Sequence, residues 1–511
     1  MAALLCAAAS PFAFAQTDQD CAALAKLQLP RARLQVTDAT MVARAPLSGP
    51  SAGRKAVQLP AHCLVQGELE KRVGAGGAQY GIGFSLALPE RWNGRFLFQG
   101  GGGLNGTVRP PVGAQAAGDT PALARGFAVV STDSGHKGTV FDPSFFADQQ
   151  AALNFLYRAI GKVTAAAKAI IADYYGKRPR YSYFVGCSTG GREAMIASQR
   201  YPTEFDGIVA GDPAMRTGYS NLGMRAVSVA LNGIAHKDAK GHPIAGTGLS
   251  PSDKALVVDA VRKSCDGEDG LEDGMIFNTR ACHFDPASLR CKGAKTPGCL
   301  AAKQVVAVEK AFAGPKDASG RLVYPGYPYD TGIAASGPDV IPGVLNAAPS
   351  PVDPPIPPVT QDVDAEARAA ATEISSLGYT YAWTNLSTFS GRGGKLLFYH
   401  GVSDPWFSVL DTIDYYRRLA ARNGGLRRVQ SWSRLFVVPG MGHCRSGPAT
   451  LDHFDMLSAV VDWVERGTAP KSVTATGQDF PGRSRPLCPY PSYARYTGKG
   501  DPEVASSFVC R

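Results

Sequence analysis

The sequence has no run of basic residues, no long apolar stretch and no internal repeat, and each absence removes a class of protein. Nowhere do apolar residues reach the ~18 in succession that a membrane-crossing helix needs. The net charge of +10 comes from 53 Lys and Arg against 43 Asp and Glu, but the basic residues are scattered and no aromatic stripe interleaves them. That pattern excludes nucleic acid as the expected partner and leaves a solvated basic surface. Without a repeat, solenoids and propellers fall away. Histidine is scarce, at 8 residues, which narrows the search for a general base.

A chain of 511 residues is too long for one ordinary core and points to a large domain with an insertion. Its 44% hydrophobic and 19% charged residues suit a soluble globular enzyme. Residues 1–15 look like the apolar core and cleavage site of a signal peptide, with Ala13-Phe14-Ala15 giving the small-x-small pattern before Gln16. The expected location is therefore secreted or periplasmic. Of eleven cysteines, ten remain once Cys6 leaves with the signal, and an even number in an exported chain implies a disulfide framework. Spacing alone does not fix the connectivity. Proximity in sequence suggests Cys21 with Cys63, Cys265 with Cys282, Cys291 with Cys299, and Cys488 with Cys510. Cys187 and Cys444 are left over.

From about residue 80, strand-like and helix-like segments alternate. Residues 80–88 and 94–99 alternate like strands, and 126–131, 181–185, 395–399 and 434–438 read as short buried strands. Helices are expected over 148–175, 191–200 and 409–423. This rhythm implies an α/β fold with a mostly parallel, covered sheet. It degrades between 214 and 385, which holds four cysteines and a proline run at 348–358. That stretch is expected to be an inserted lid, leaving 16–213 and 386–511 as the catalytic domain.

Gly186-Cys187-Ser188-Thr189-Gly190 matches G-x-S-x-G between a strand and a helix, the context that exposes a nucleophilic serine on a tight turn. A serine hydroxyl needs a base to take its proton. His443 follows the late strand 434–438, where an α/β-hydrolase places its base, whereas His400 fits better as a structural neighbour. Asp404, in the loop after 395–399, is the expected acid that orients the imidazole. Asp411 and Asp414 fall on an expected helix, where solvated charge is the default, and the remaining histidines are expected on surfaces, in turns or in the lid. The oxyanion of acyl transfer needs two N–H donors. One is expected from Thr189 and the other from the glycine-rich loop 99–106, at Gly103 with Gly102 next. Cys187 and Cys444 flank Ser188 and His443 directly, so a bridge between them would tie the nucleophile turn to the base loop.

Cys187-Ser188, Asp404 and His443-Cys444 together resemble the signature of the tannase and feruloyl esterase family, over nearly the whole mature chain. Residues 186–193, 205–211 and 392–395 carry the likeness further. Residues 438–444, 463–467 and 486–491 are similar to the mono(2-hydroxyethyl) terephthalate hydrolases of that family. The resemblance implies an α/β-hydrolase fold and five disulfides at the pairs named above. One departure stands out. Those hydrolases carry a lid arginine followed by a Phe-Ser pair, and here the proline run and residues 362–371 occupy the lid instead.

Within the lid, Asp266, Asp269 and Asp273, with the carbonyls of Leu271 and Met275, form an all-oxygen set suited to Ca²⁺. The resemblance implies a structural calcium there and no catalytic cofactor. The expectation is an exported serine esterase acting on small aromatic esters, of feruloyl, galloyl or related acids. A terephthalate monoester hydrolase is the alternative within the family. A non-catalytic binding protein on a hydrolase scaffold is the alternative outside it.

Overall fold

A computed structural model describes residues 18–49, 56–338, 340–347, 350 and 356–511. The segment read as a signal peptide and most of the proline run lie outside these residues.

Nine strands form the main sheet: Leu34–Val42 (β1), His62–Val73 (β2), Gln79–Pro89 (β3), Arg95–Gln99 (β4), Ala128–Thr132 (β5), Tyr181–Cys187 (β6), Gly207–Gly211 (β7), Lys395–Gly401 (β8) and Ser433–Val438 (β9). Their order is β1-β2-β3-β5-β4-β6-β7-β8-β9. The pairs β1·β2, β2·β3 and β3·β5 are antiparallel, whereas β4 to β9 run parallel. This is the α/β-hydrolase fold.

Successive side chains of a strand point to opposite faces, and both faces here are covered. Phe96, Phe98, Phe184, Ile208 and Phe398 pack on one side with residues of the helices Ala159–Tyr175 and Thr189–Arg200. Leu97, Val129, Val185, Val209 and Leu397 pack on the other with Leu457, Val460 and Trp463 of the helix Met456–Arg466. Phe96, Leu97 and Phe98 are all fully buried. Truncating Phe98 to alanine would cost about 3–5 kcal/mol. Because β4 to β9 point the same way, the loops leaving β4, β6, β7, β8 and β9 gather at one edge of the sheet.

Four elements differ from the sequence reading. β1 and β2 precede residue 80, and β7 lies in a stretch not read as a strand. The expected helix 148–175 is also broken. Gln149–Leu153 and Ala159–Tyr175 flank a π-helical turn, Asn154–Arg158. Such turns widen the backbone ring and free carbonyls for other donors. The carbonyls of Leu156 and Phe155 accept from the Arg192 guanidinium at 2.8 and 3.1 Å.

Among the described residues, the chain between β7 and β8 contributes no strand to the main sheet. Its helices Thr217–Asn232, Pro251–Cys265 and Ala302–Ala313 contribute to a separate buried cluster that includes Val227, Val257, Leu300, Val308 and Ile333, and the helix Val363–Thr372 packs against the first of them. The disulfides are Cys21–Cys63, Cys187–Cys444, Cys265–Cys282, Cys291–Cys299 and Cys488–Cys510. No described helix is long and apolar enough to cross a membrane.

Candidate active site

β6 delivers Ser188 onto a tight turn, and the helix Thr189–Arg200 leaves it. Ser188 has φ 65° and ψ −125°, a left-handed conformation that costs a non-glycine residue about 1–3 kcal/mol. Its N–H donates to the Gly211 carbonyl at the end of β7, at 3.0 Å. The flanking glycines are required by close approach: a Cβ on Gly186 would lie 2.4 Å from the Gly190 carbonyl oxygen, and one on Gly190 would lie 2.7 Å from that of Gly101.

His443 follows β9, and its Nδ1 lies 2.7 Å from Asp404 Oδ2. The other carboxylate oxygen of Asp404 accepts the N–H groups of Trp406 and Phe407 at 2.8 and 3.0 Å. Burial alone would raise the Asp404 pKa, but His443 and His400 outweigh it and hold the carboxyl well below its usual range. Burial pulls His443 down, yet the adjacent Asp404 charge and hydrogen bond leave its pKa above the ordinary 6.5. The Cys187–Cys444 bridge, with Cα atoms 6.0 Å apart, joins the residue before Ser188 to the residue after His443.

His400 is fully buried and both its nitrogens are engaged, Nδ1 with Thr412 Oγ1 and Nε2 with the Phe407 carbonyl, each at 2.8 Å. That leaves it no free nitrogen to serve as base. Two sequence expectations are corrected here. Asp411 is not a solvated helix charge: it is buried and paired with Arg216 at 2.5 Å, because Arg216 reaches it from just beyond β7. His62 and His136 are buried rather than on surfaces, the latter stacked on Phe145 with ring centroids 3.7 Å apart.

The glycine-rich loop after β4 lies against the nucleophile turn. Thr189 Oγ1 donates to the Gly103 carbonyl. The N–H groups of Gly100, Gly101, Asn105 and Gly106 are bonded within the protein. Those of Gly102, Gly103 and Leu104 have no hydrogen bond among the described residues. Gly103, at φ 60°, and Leu104 line a cavity of about 610 Å³ together with Ser188 and Thr189. Gly102 is absent from its lining. The aromatic rings of Phe141, Phe146, Phe155, Trp406 and Phe407 wall the cavity, and Asn221, Met224, Arg225 and Glu366 of the 214–385 region face in as well.

Sequence reasoning missed three buried polar residues around this site: Arg192, Glu193 and Asp212. Asp212 follows β7 and ties it to β8, its Oδ1 accepting from Gly401 N–H at 3.0 Å. The signal for Arg192 and Glu193 was their place in the helix that leaves Ser188.

Away from the cavity, Asp266 and Asp269 are buried, and Asp273 is nearly so. Burial raises Asp266 and lifts Asp269 to about 7, with neighbouring carboxylates adding to both shifts. Backbone N–H groups of Asp273, Gly274, Leu271, Phe277 and Met275 bind the three carboxylates. Arg485 takes Asp273 Oδ2. Crowded buried carboxylates are the chemistry a hard divalent cation takes, but Arg485 already pairs with Asp273, and among the described residues the three aspartates do not form a group whose ligand atoms all lie within 4.8 Å of one another.

The family model for tannase and feruloyl esterase matches residues 63–343 and 359–511. The chain belongs to the tannase and feruloyl esterase family. It is 39% identical to the mono(2-hydroxyethyl) terephthalate hydrolase of Piscinibacter sakaiensis over 524 residues, covering 89% of this chain and 85% of that protein. Among solved structures, an esterase from Aspergillus oryzae superposes with a TM-score of 0.78 at 27% identity. Feruloyl esterase B from the same organism gives 0.77 at 26%, and each covers 97% of this chain and 100% of its own. This family member is a carboxylic ester hydrolase.

Proposed function

We propose that the protein is an exported serine esterase that cleaves esters of aromatic acids, of feruloyl, galloyl or related type. The observation that carries this reading is the aromatic-walled cavity of about 610 Å³ at Ser188. Ser188 Oγ attacks the ester carbonyl while His443 takes its proton, and Asp404 stabilises the resulting imidazolium. The N–H groups of Gly103 and Thr189 hold the oxyanion. The alcohol leaves with the proton from His443, and water then releases the acid from the acyl-enzyme by the same steps. Residues 16–213 and 386–511 form the catalytic domain in this reading, and 214–385 form a lid that supplies the facing wall of the cavity.

The five disulfides support export, since such bonds persist in oxidising compartments. Asp266, Asp269, Asp273 and the carbonyls of Leu271 and Met275 would hold a structural Ca²⁺, which neutralises buried carboxylates and takes no part in the reaction. A second reading, hydrolysis of a terephthalate monoester, is favoured by the 39% identity to an enzyme of that name. The sequence lacks the lid segment in which those hydrolases carry an arginine followed by a Phe-Ser pair, which ranks it behind.

Kinetics on methyl ferulate, methyl gallate, chlorogenate, mono(2-hydroxyethyl) terephthalate and an aliphatic ester decide between them. The expected order puts feruloyl or galloyl esters first by kcat/KM. Equal rates on the aliphatic ester would overturn the aromatic reading, and a clear lead for the terephthalate would establish the second.

A further inference from the structure

Glu193 lies on the helix that leaves Ser188, is 1% exposed, and has no ion pair among the described residues. Its neighbour Arg192 is turned away, towards the carbonyls of Leu156 and Phe155. Three donors converge on the Glu193 carboxylate instead. Oε2 accepts from Gly101 N–H at 2.9 Å, and Oε1 accepts from Asn105 Nδ2 at 2.6 Å and from Ser134 Oγ at 3.1 Å. Gly101 and Asn105 bracket the segment 102–104, the part of the loop whose N–H groups remain unbonded. Asn105 itself sits at φ 54° and Ser134 at φ 66°, conformations that persist only where surrounding contacts hold them.

We propose that Glu193 is a positioning residue for the oxyanion hole. It clamps the glycine loop on both sides of its free N–H groups and holds them in register with the nucleophile turn. It acts through the loop and never touches the substrate, and the proposal rests on the reading of Ser188 as nucleophile. The helix that leaves Ser188 thus grips the loop at three alternate residues: 101 and 105 through Glu193, and 103 through Thr189 Oγ1.

The chemistry of the clamp requires a carboxylate. An ionised carboxylate accepts at both oxygens and donates nothing, which matches three converging donors. Glutamine keeps the shape but turns an NH₂ towards at least one of them, either Gly101 N–H or the Asn105 and Ser134 pair. The loop must then shift. Displaced oxyanion donors act on the transition state far more than on the bound ester.

The test uses the full chain. Ser188→Ala comes first, because loss of acylation there upholds the nucleophile, whereas retained activity defeats that reading whatever Glu193 does. Glu193→Gln is then compared with the parent by steady-state kinetics, by inhibition with phenylboronic acid, and by melting. The boronate adds to Ser188 Oγ and places an oxygen where the oxyanion sits. The expected result is a kcat loss of about 100-fold with KM within about threefold. Boronate affinity should fall by a factor close to the loss in kcat/KM. If Glu193→Gln does not fold, Asn105→Ala, which removes one donor, decides, with an expected kcat loss of about tenfold at unchanged KM. Parental kcat in the folded variant would overturn the proposal. So would a kcat loss that merely tracks the folded fraction while boronate affinity is unchanged.

Discussion

On one side of the cavity Ser188, Thr189 and Gly103 hang from the ends of parallel strands. On the other, Asn221, Met224, Arg225 and Glu366 come from helices of the 214–385 region. The first wall is held by backbone hydrogen bonds, the Glu193 clamp and a disulfide. The second rests on its own hydrophobic cluster and on contacts such as the Arg225–Glu366 ion pair at 2.8 Å. Both partners of that pair are about a quarter exposed, so it contributes little rigidity. The contrast separates two jobs. Chemistry tolerates little displacement and sits where the backbone is tightly bonded, whereas the facing wall is made by side chains on helices outside the main sheet.

The largest effects should come from the strand-borne wall. Ser188→Ala should lose on the order of 10⁵–10⁶ in kcat with folding intact, His443→Ala a similar factor, and the double variant no more than either alone. A tenth of the activity left in Ser188→Ala would defeat the assignment. Asp404→Asn should cost about 10⁴ in kcat by leaving the imidazole without its orienting charge. His443 must be neutral to accept a proton, and its pKa is raised above 6.5. The parental kcat should therefore rise with pH through an inflection above that value, and an inflection below it would contradict the Asp404 contact.

Replacing both Cys187 and Cys444 with alanine opens a closure spanning 257 residues. Chain-entropy reasoning assigns such a closure about 4–5 kcal/mol, while misplacement of the base should lower kcat by about 100-fold. Parental kcat in the folded double variant would make the bridge a structural staple alone. On the facing wall, Arg225→Ala should raise KM for the best aromatic ester by about tenfold. It should leave turnover of p-nitrophenyl acetate, too small to reach that wall, within about threefold. A matching kcat loss on both substrates would erase the distinction between the walls. The smallest effect concerns the acidic loop. A cation bound only by the folded chain stabilises by mass action, so EDTA should lower the melting temperature by a few degrees. Asp269→Ala should abolish that sensitivity, and identical melts with and without chelator would rule the cation out.

The parts of this site readable from sequence are those whose signal is local. Gly186 and Gly190 announce a turn too tight for side chains, and residues 181–185, 395–399 and 434–438 show short apolar runs that mark β6, β8 and β9. β7 escaped notice because Gly207–Gly211 holds only three apolar residues between two glycines, and glycine at both ends reads as turn rather than strand. β1 and β2 lie at the antiparallel edge, where β1 is mostly half-buried or exposed and lacks a clean alternation. Asp411 read as an ordinary helix charge and Glu193 went without a role because nothing nearby in sequence reveals that Arg216, or the loop 101–105, closes over them.

Sequence alone determined the strand–turn–helix around Ser188 and the loops that carry Asp404 and His443, since each depends on neighbours a few residues away. Tertiary structure decided which charges are buried, which loop N–H groups stay free, and which helices face the cavity. Those outcomes depend on groups far apart in the chain, such as Glu193 and Gly101, that meet only once the parallel strands have set their loops at one edge. The burial that gives such contacts their strength exists only in the packed fold.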